Sequence, residues 1–131
     1  MEIKLVGVVG AGQMGNGIAH VFALAGYNVV MTDISEDSLS RALGTIEKNI
    51  ERQVSRGKVM PADKRAAMER ISTTLKLADL GQCDLIIEAA TERETVKQAI
   101  FEDLLPHLKP TTILTSNTSS ISITRLASRT D

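Results

Sequence analysis

The segment Gly10-Ala11-Gly12-Gln13-Met14-Gly15, set between an apolar run at Ile3 to Val9 and a stretch of helical periodicity, constrains the fold more than any other part of the chain. The first glycine permits a tight strand-to-helix turn, the second lets backbone approach an anionic group, and the third lets helix and strand pack closely. The helix that follows points its free N–H groups and its positive dipole end at the turn. Asp33 closes the next apolar run, Asn28 to Thr32, eighteen residues past Gly15. A carboxylate there is placed to accept hydrogen bonds from a ribose diol and repels a 2′-phosphate. Together these features predict a dinucleotide site. The glycine loop alone does not separate nicotinamide from flavin dinucleotides, but Ile34 and Ser35, with no arginine, follow Asp33, so NAD is favoured over NADP.

Apolar periodicity and turn residues divide the rest into alternating strands and helices, the pattern of an α/β, doubly wound parallel sheet of Rossmann type. Strands are expected at Ile3 to Val9, Asn28 to Thr32, Ser72 to Leu77, Asp84 to Ala90 and Thr112 to Ser116. The first helix spans Gln13 to Ala25, with Met14, Ile18, Val21, Phe22 and Ala25 on one face and Gly26 as its C-terminal stop. Ser35 reads as the cap of a helix from about Glu36 to Arg56, whose Leu39, Leu43, Ile46, Ile50 and Val54 recur every three or four residues. Gly57 ends it, and Pro61 opens another helix to about Ile71. These two form a helical hairpin inserted after the second strand, where a plain dinucleotide fold needs only one crossover helix. Further helix is expected at Arg93 to Leu105 and around Thr124 to Ser128.

At 131 residues the chain reads as one domain, residues 1–131. Its 43% hydrophobic and 24% charged content is that of a folded globular chain, and a net charge of −1 argues against general nucleic-acid or membrane binding. Cys83 stands alone and just before an apolar run, which points to a buried, inert thiol. The N-terminal residues lack a signal-peptide pattern and no apolar stretch approaches eighteen residues, so a cytoplasmic location is expected.

Two further stretches fall at the carboxyl ends of expected strands, where ligands bind in a doubly wound sheet. Glu88-Ala89-Ala90-Thr91-Glu92-Arg93 follows the fourth strand, with Lys97 a helical turn beyond Arg93. By position alone, Glu92 and Lys97 read more readily as a solvated helix-start carboxylate and a surface amine than as ligand contacts. Ser116-Asn117-Thr118-Ser119-Ser120 ends the fifth strand; it can form a turn and cap a helix, or hold a substrate oxygen and a cofactor ribose.

With these motifs in this order, the whole chain resembles the 3-hydroxyacyl-CoA dehydrogenases, a family that includes bacterial 3-hydroxybutyryl-CoA dehydrogenases. The resemblance rests on Gly-Ala-Gly-Gln-Met-Gly, the helical hairpin, Ile-Glu-Ala-Ala-Thr-Glu with its lysine, and Ser-Asn-Thr-Ser-Ser, the last being the most specific. It implies that Gly12 to Gly15, including Gln13 and Met14, hold the pyrophosphate of NAD and that Asp33 holds the adenosine ribose. It further implies that Glu92, Lys97 and Asn117 contact the cofactor and that Ser119 hydrogen-bonds the substrate's 3-oxygen as part of the catalytic site. Arg56, with Arg52 and Lys58, becomes a candidate contact for an acyl-CoA, although Asn49 stands where the family can carry a serine. A solvated basic face explains those three residues as well.

Hydride transfer from a secondary alcohol needs a general base. The resemblance places that histidine, and the glutamate that orients it, beyond the Ser-Asn-Thr-Ser-Ser segment. Neither His20, in the first helix, nor His107, between Pro106 and Pro110, matches its position. The helical C-terminal domain through which the family forms homodimers also lies beyond these residues. The chain by itself is therefore expected to bind NAD with negligible turnover. A noncatalytic dinucleotide-binding module and another β-hydroxyacid dehydrogenase are the alternatives, the latter lacking the hairpin and the serine-rich segment. Acyl chain length, direction and pathway stay open.

Overall fold

A computed structural model describes residues 3–90 and 94–116. Five parallel strands, β1 (Leu5–Val9), β2 (Asn28–Thr32), β3 (Ile71–Thr74), β4 (Leu85–Glu88) and β5 (Ile113–Ser116), form one sheet in the order β3-β2-β1-β4-β5. The chain winds outward from β1 through α1 (Gln13–Leu24), β2, α2 (Glu36–Ser55) and α3 (Pro61–Arg70) to β3. It then restarts at β4 and winds the other way through α4 (Glu94–Leu104) to β5. The direction reverses between β1 and β4, which opens a crevice at the carboxyl ends of those strands.

Helix ends follow local chemistry. Ser35 caps α2 by accepting the Ser38 N–H at 3.2 Å, with Glu36 and Asp37 in the first turn. Pro61 opens α3. Gly26 and Gly57 follow α1 and α2 with φ of 104° and 73°, the left-handed conformation that stops a helix. The hairpin of α2 and α3 is held by Lys64, which donates to Glu51 at 2.7 Å, and is tied to α1 where Arg70 donates to the Ala23 carbonyl at 2.8 Å. His20 bridges α1 to α2 through Gln53 at 2.8 Å, a structural use of the ring.

Two cores flank the sheet. On one face Val6, Val8, Val29 and Met31 meet Ala19 and Ala23 of α1, Leu39, Ala42, Ile46 and Ile50 of α2, and Ala67 of α3. On the other, Val9 and Ile86 meet Leu80, Cys83, Phe101 and Leu104. Each fully buried isoleucine or leucine contributes roughly 1.5–3 kcal/mol.

Two expectations need correction. The inward face of α1 is Gly15, Ala19 and Ala23, not the larger apolar set: Met14 and Val21 are 56% and 65% exposed and Ala25 is exposed, while Ile18 and Phe22 flank the core half-buried. At Gly15 a side chain is excluded outright by the close approach of α1 to the Gly10 carbonyl. The third strand begins at Ile71 rather than Ser72 and ends at Thr74, after which Leu77–Leu80 forms a 3-10 turn. The expected helix at 124–128 lies outside the described residues.

Candidate functional site

Strand register brings the site together. Thr74, Thr32, Val9, Glu88 and Ser116 are successive partners across the sheet, so all five strands end in one transverse row. The glycine loop leaves that row from β1. Gly10 adopts φ 107°, and a side-chain carbon there would come within 2.7 Å of the Ala90 Cα, so both conformation and close approach demand glycine. A Cβ on Gly15 would lie 1.8 Å from the Gly10 carbonyl oxygen, which fixes how tightly α1 seats on the turn.

Gly12 differs from both. It is exposed, and a Cβ there would meet no heavy atom within 4 Å. As the residue before α1 it offers no side-chain oxygen to cap the helix, so the first N–H groups face outward into that clearing. An anion fits where a Cβ would otherwise project. Gln13 and Met14, both exposed, border the same helix start.

Asp33, half-buried, is held on both carboxylate oxygens. Oδ2 accepts the Ala11 N–H at 2.9 Å and Oδ1 the Ser35 N–H at 3.1 Å, while the Gly10 N–H donates to the Thr32 carbonyl at 2.8 Å. A carboxylate has about four lone-pair sites, so these two bonds orient the group and leave acceptor capacity for a diol. Beside it opens a cavity of about 610 Å³, bordered by Val9, Gly10, Thr32, Ile34, Leu77 and Val96 among others. Ile34 is 99% exposed. The apolar walls and the pinned Asp33 carboxylate suit a flat heteroaromatic ring joined to a ribose. His107, exposed in a 3-10 turn (Leu105–His107), and Asp103 also border this cavity.

Under β4 and β5 the character changes. Lys97, on α4, is fully buried, not the surface amine that its place in the sequence alone favours. Its Nζ donates to Glu88 Oε1, and to Ser116 Oγ at 3.1 Å. The Ser116 hydroxyl also lies 3.1 Å from Glu88 Oε1, and Glu88 Oε2 accepts the Ala90 N–H at 2.7 Å. Glu88 and Lys97 both have 0% exposure. Glu88 was not singled out as a site residue from sequence, although its signal is there: it shares the inward face of β4 with Ile86 at period two, and Lys97 precedes Phe101 and Leu104 at helical spacing.

Glu92, Asn117 and Ser119 lie outside the described residues. Arg56, exposed with Arg52 and Lys58, ends α2, a 20-residue helix and so about 30 Å long, at the opposite end from Asp33. The structure therefore gathers Gly10, Gly12, Gln13, Met14, Gly15 and Asp33 at one crevice and keeps Arg56 apart.

A doubly wound parallel sheet with an exposed glycine-initiated helix and an oriented carboxylate on the neighbouring strand defines a dinucleotide-binding domain. More narrowly, the chain belongs to the 3-hydroxyacyl-CoA dehydrogenase, NAD binding domain family, whose model matches residues 5–131. It is 57% identical over 129 residues to a 3-hydroxybutyryl-CoA dehydrogenase of Bradyrhizobium diazoefficiens, covering 98% of this chain and 44% of that protein. A 3-hydroxyadipyl-CoA dehydrogenase of Escherichia coli is 41% identical across 97% of the chain and 27% of its own length. Among solved structures, the (S)-3-hydroxybutyryl-CoA dehydrogenase of Ralstonia eutropha superposes with a TM-score of 0.94 at 42% identity, covering 99% of this chain and 46% of that one. The chain thus spans less than half the length of these relatives. The cofactor is NAD, as the family and the residues around Asp33 both indicate. Among the described residues, no helix is long and apolar enough to cross a membrane.

Proposed function

We propose that this chain is the cofactor-holding half of an enzyme that interconverts a (3S)-3-hydroxyacyl-CoA and its 3-oxoacyl-CoA. The observation that carries the reading is the pairing of an open Gly12 cradle at the α1 start with an Asp33 carboxylate pinned by Ala11 and Ser35. When bound, NAD supplies the hydride acceptor or donor. The α1 N–H groups, with Gly12, Gln13, Met14 and Gly15, hold the pyrophosphate, and Asp33 holds the adenosine ribose. The apolar wall of Val9, Leu77 and Val96 offers the adenine a surface to pack against. Glu92, Lys97 and Asn117 serve the other end of the cofactor. Ser119 donates a hydrogen bond to the substrate's 3-oxygen, favouring the charge that develops there. The general base comes from beyond residue 131, as does the surface for homodimer formation. Arg56 meets the acyl-CoA on its phosphate-bearing portion. A cytoplasmic setting suits the reduced, buried Cys83.

Titration of the purified chain with NADH and NADPH, followed by calorimetry, tests the cofactor half of this reading. NADH is expected to bind at least about tenfold more tightly, because a 2′-phosphate facing Asp33 costs more than ~1.4 kcal/mol. Equal affinity sinks the role of Asp33. In a steady-state assay with acetoacetyl-CoA and NADH the chain alone is expected to show negligible turnover; rates near those of intact dehydrogenases would overturn the division of labour.

A further inference from the structure

Asp33, at the end of β2, marks the adenosine side of the crevice, and a dinucleotide laid across the reversal between β1 and β4 sets its second nucleotide over β4 and β5. Those two strands end at a cluster in which buried Glu88 and Lys97 meet half-buried Ser116. The Glu88 carboxylate is the group common to every part of it. One oxygen takes Lys97 and lies against Ser116; the other takes the N–H of Ala90, so strand, helix and loop converge on one side chain. With both charges at 0% exposure, solvent screens neither of them. Without Glu88 the ammonium would present an uncompensated positive charge toward whatever sits at the ends of β4 and β5.

We propose that Glu88 is a positioning residue for the nicotinamide half of the dinucleotide, acting through Lys97 by fixing its ammonium and balancing its charge. The proposal rests on the NAD reading above. Oxidised nicotinamide carries a positive charge and the reduced ring does not. Charge balance at Glu88 therefore separates NAD+ from NADH, which a purely structural tie would not do.

Affinities of the chain for NAD+, NADH and ADP-ribose test this. Glu88→Gln keeps one acceptor oxygen and removes the charge. It is expected to weaken NAD+ by roughly tenfold, the scale of like charges about 12 Å apart at an effective dielectric near 20, weaken NADH less, and leave ADP-ribose within about twofold. Lys97→Met should shift the NAD+ to NADH ratio the opposite way, and the Glu88→Gln/Lys97→Met pair should return it to the wild-type value. An unchanged ratio in Glu88→Gln, or an equal loss for all three ligands, overturns the proposal. Should the single neutral variants fail to fold, Glu88→Asp retains the charge but draws it back by one methylene. It should weaken NAD+ and NADH together while sparing ADP-ribose, and unchanged binding of all three, or an equal loss, would overturn the role. A wild-type chain that binds none of the ligands refutes the NAD reading itself, whereas binding without the ratio shift refutes Glu88 alone.

Discussion

Asp84 and Glu88 stand at opposite ends of β4, and each pairs with a lysine while also accepting backbone N–H groups. Asp84 Oδ2 takes the N–H of Lys4 at 2.9 Å and of Leu5 at 3.0 Å, and Oδ1 pairs with Lys109. Glu88 takes Ala90, Lys97 and Ser116. The chemistry is nearly the same and the setting is not. The Asp84 and Lys109 side chains keep 15% and 34% exposure, against 0% for both Glu88 and Lys97. A partly solvated pair clamps the sheet's amino-terminal edge at small electrostatic cost, and either partner can fall back on water. A fully buried pair has no water to fall back on, so each charge relies far more on its partner.

Removing one partner from each pair is the strongest way to break this comparison. Lys97→Ala should destabilise the chain by about 3–5 kcal/mol in urea unfolding, because it takes the buried ammonium away from the buried Glu88 carboxylate. If Lys109→Ala costs as much, burial is not what separates the two pairs. Next in size, the Glu88→Gln/Lys97→Met variant should recover most of the Lys97→Ala loss, since a neutral, well-packed replacement of a buried pair is often close to neutral. A double variant no better than the single one would mean that packing volume, not charge, sets the cost.

Asp84→Asn gives a smaller effect with a distinctive pH dependence. The hydrogen bond from Lys109, followed by the N–H groups of Lys4 and Leu5, holds the Asp84 carboxyl well below the usual carboxylate range. Its depressed value means that its stabilisation is fully present above the ordinary value near 4 and is lost as pH falls toward the lower folded one. The Tm gap between wild type and Asp84→Asn should therefore be widest near neutrality and narrow below about pH 4. A gap that widens in acid contradicts the assignment. Smallest of all, added salt should shrink the effect of Lys109→Ala and leave that of Lys97→Ala nearly unchanged, because ions screen only the exposed pair.

Cys83 sharpens the same contrast between edges without changing stability. Its Sγ would lie 2.9 Å from a Cβ on Gly7, and burial pushes the thiol up to about 11. A thiol reagent at pH 8 should label it only when the chain opens, so labelling should track urea unfolding. Fast labelling of the folded chain would show that this edge is looser than its packing indicates.

Much of the fold was legible because the governing physics is local. The glycine loop, the Ser35 cap, Pro61 at the start of α3 and the glycines after α1 and α2 depend on a few adjacent dihedrals and N–H groups, and all stand where the sequence reading placed them. The face of α1 was misread because hydrophobic periodicity weights large residues. The 1.8 Å approach to the Gly10 carbonyl instead selects Gly15, with Ala19 and Ala23 behind it. Lys97 was drawn toward the site by its motif, but its burial could not be read, since that depends on a helix closing over two strands distant in sequence.

The sequence by itself determined the alternating α/β order, the anion-binding turn, and a carboxylate on the second strand, because each is written in short-range spacing. Only the tertiary structure decided that Glu88 and Ser116 share one row of the sheet and that Lys97 is sealed between them. Strand register and helix docking are relations between segments distant in sequence, 28 residues apart for Glu88 and Ser116 and further still for Val9 and Glu88, and no local pattern specifies them.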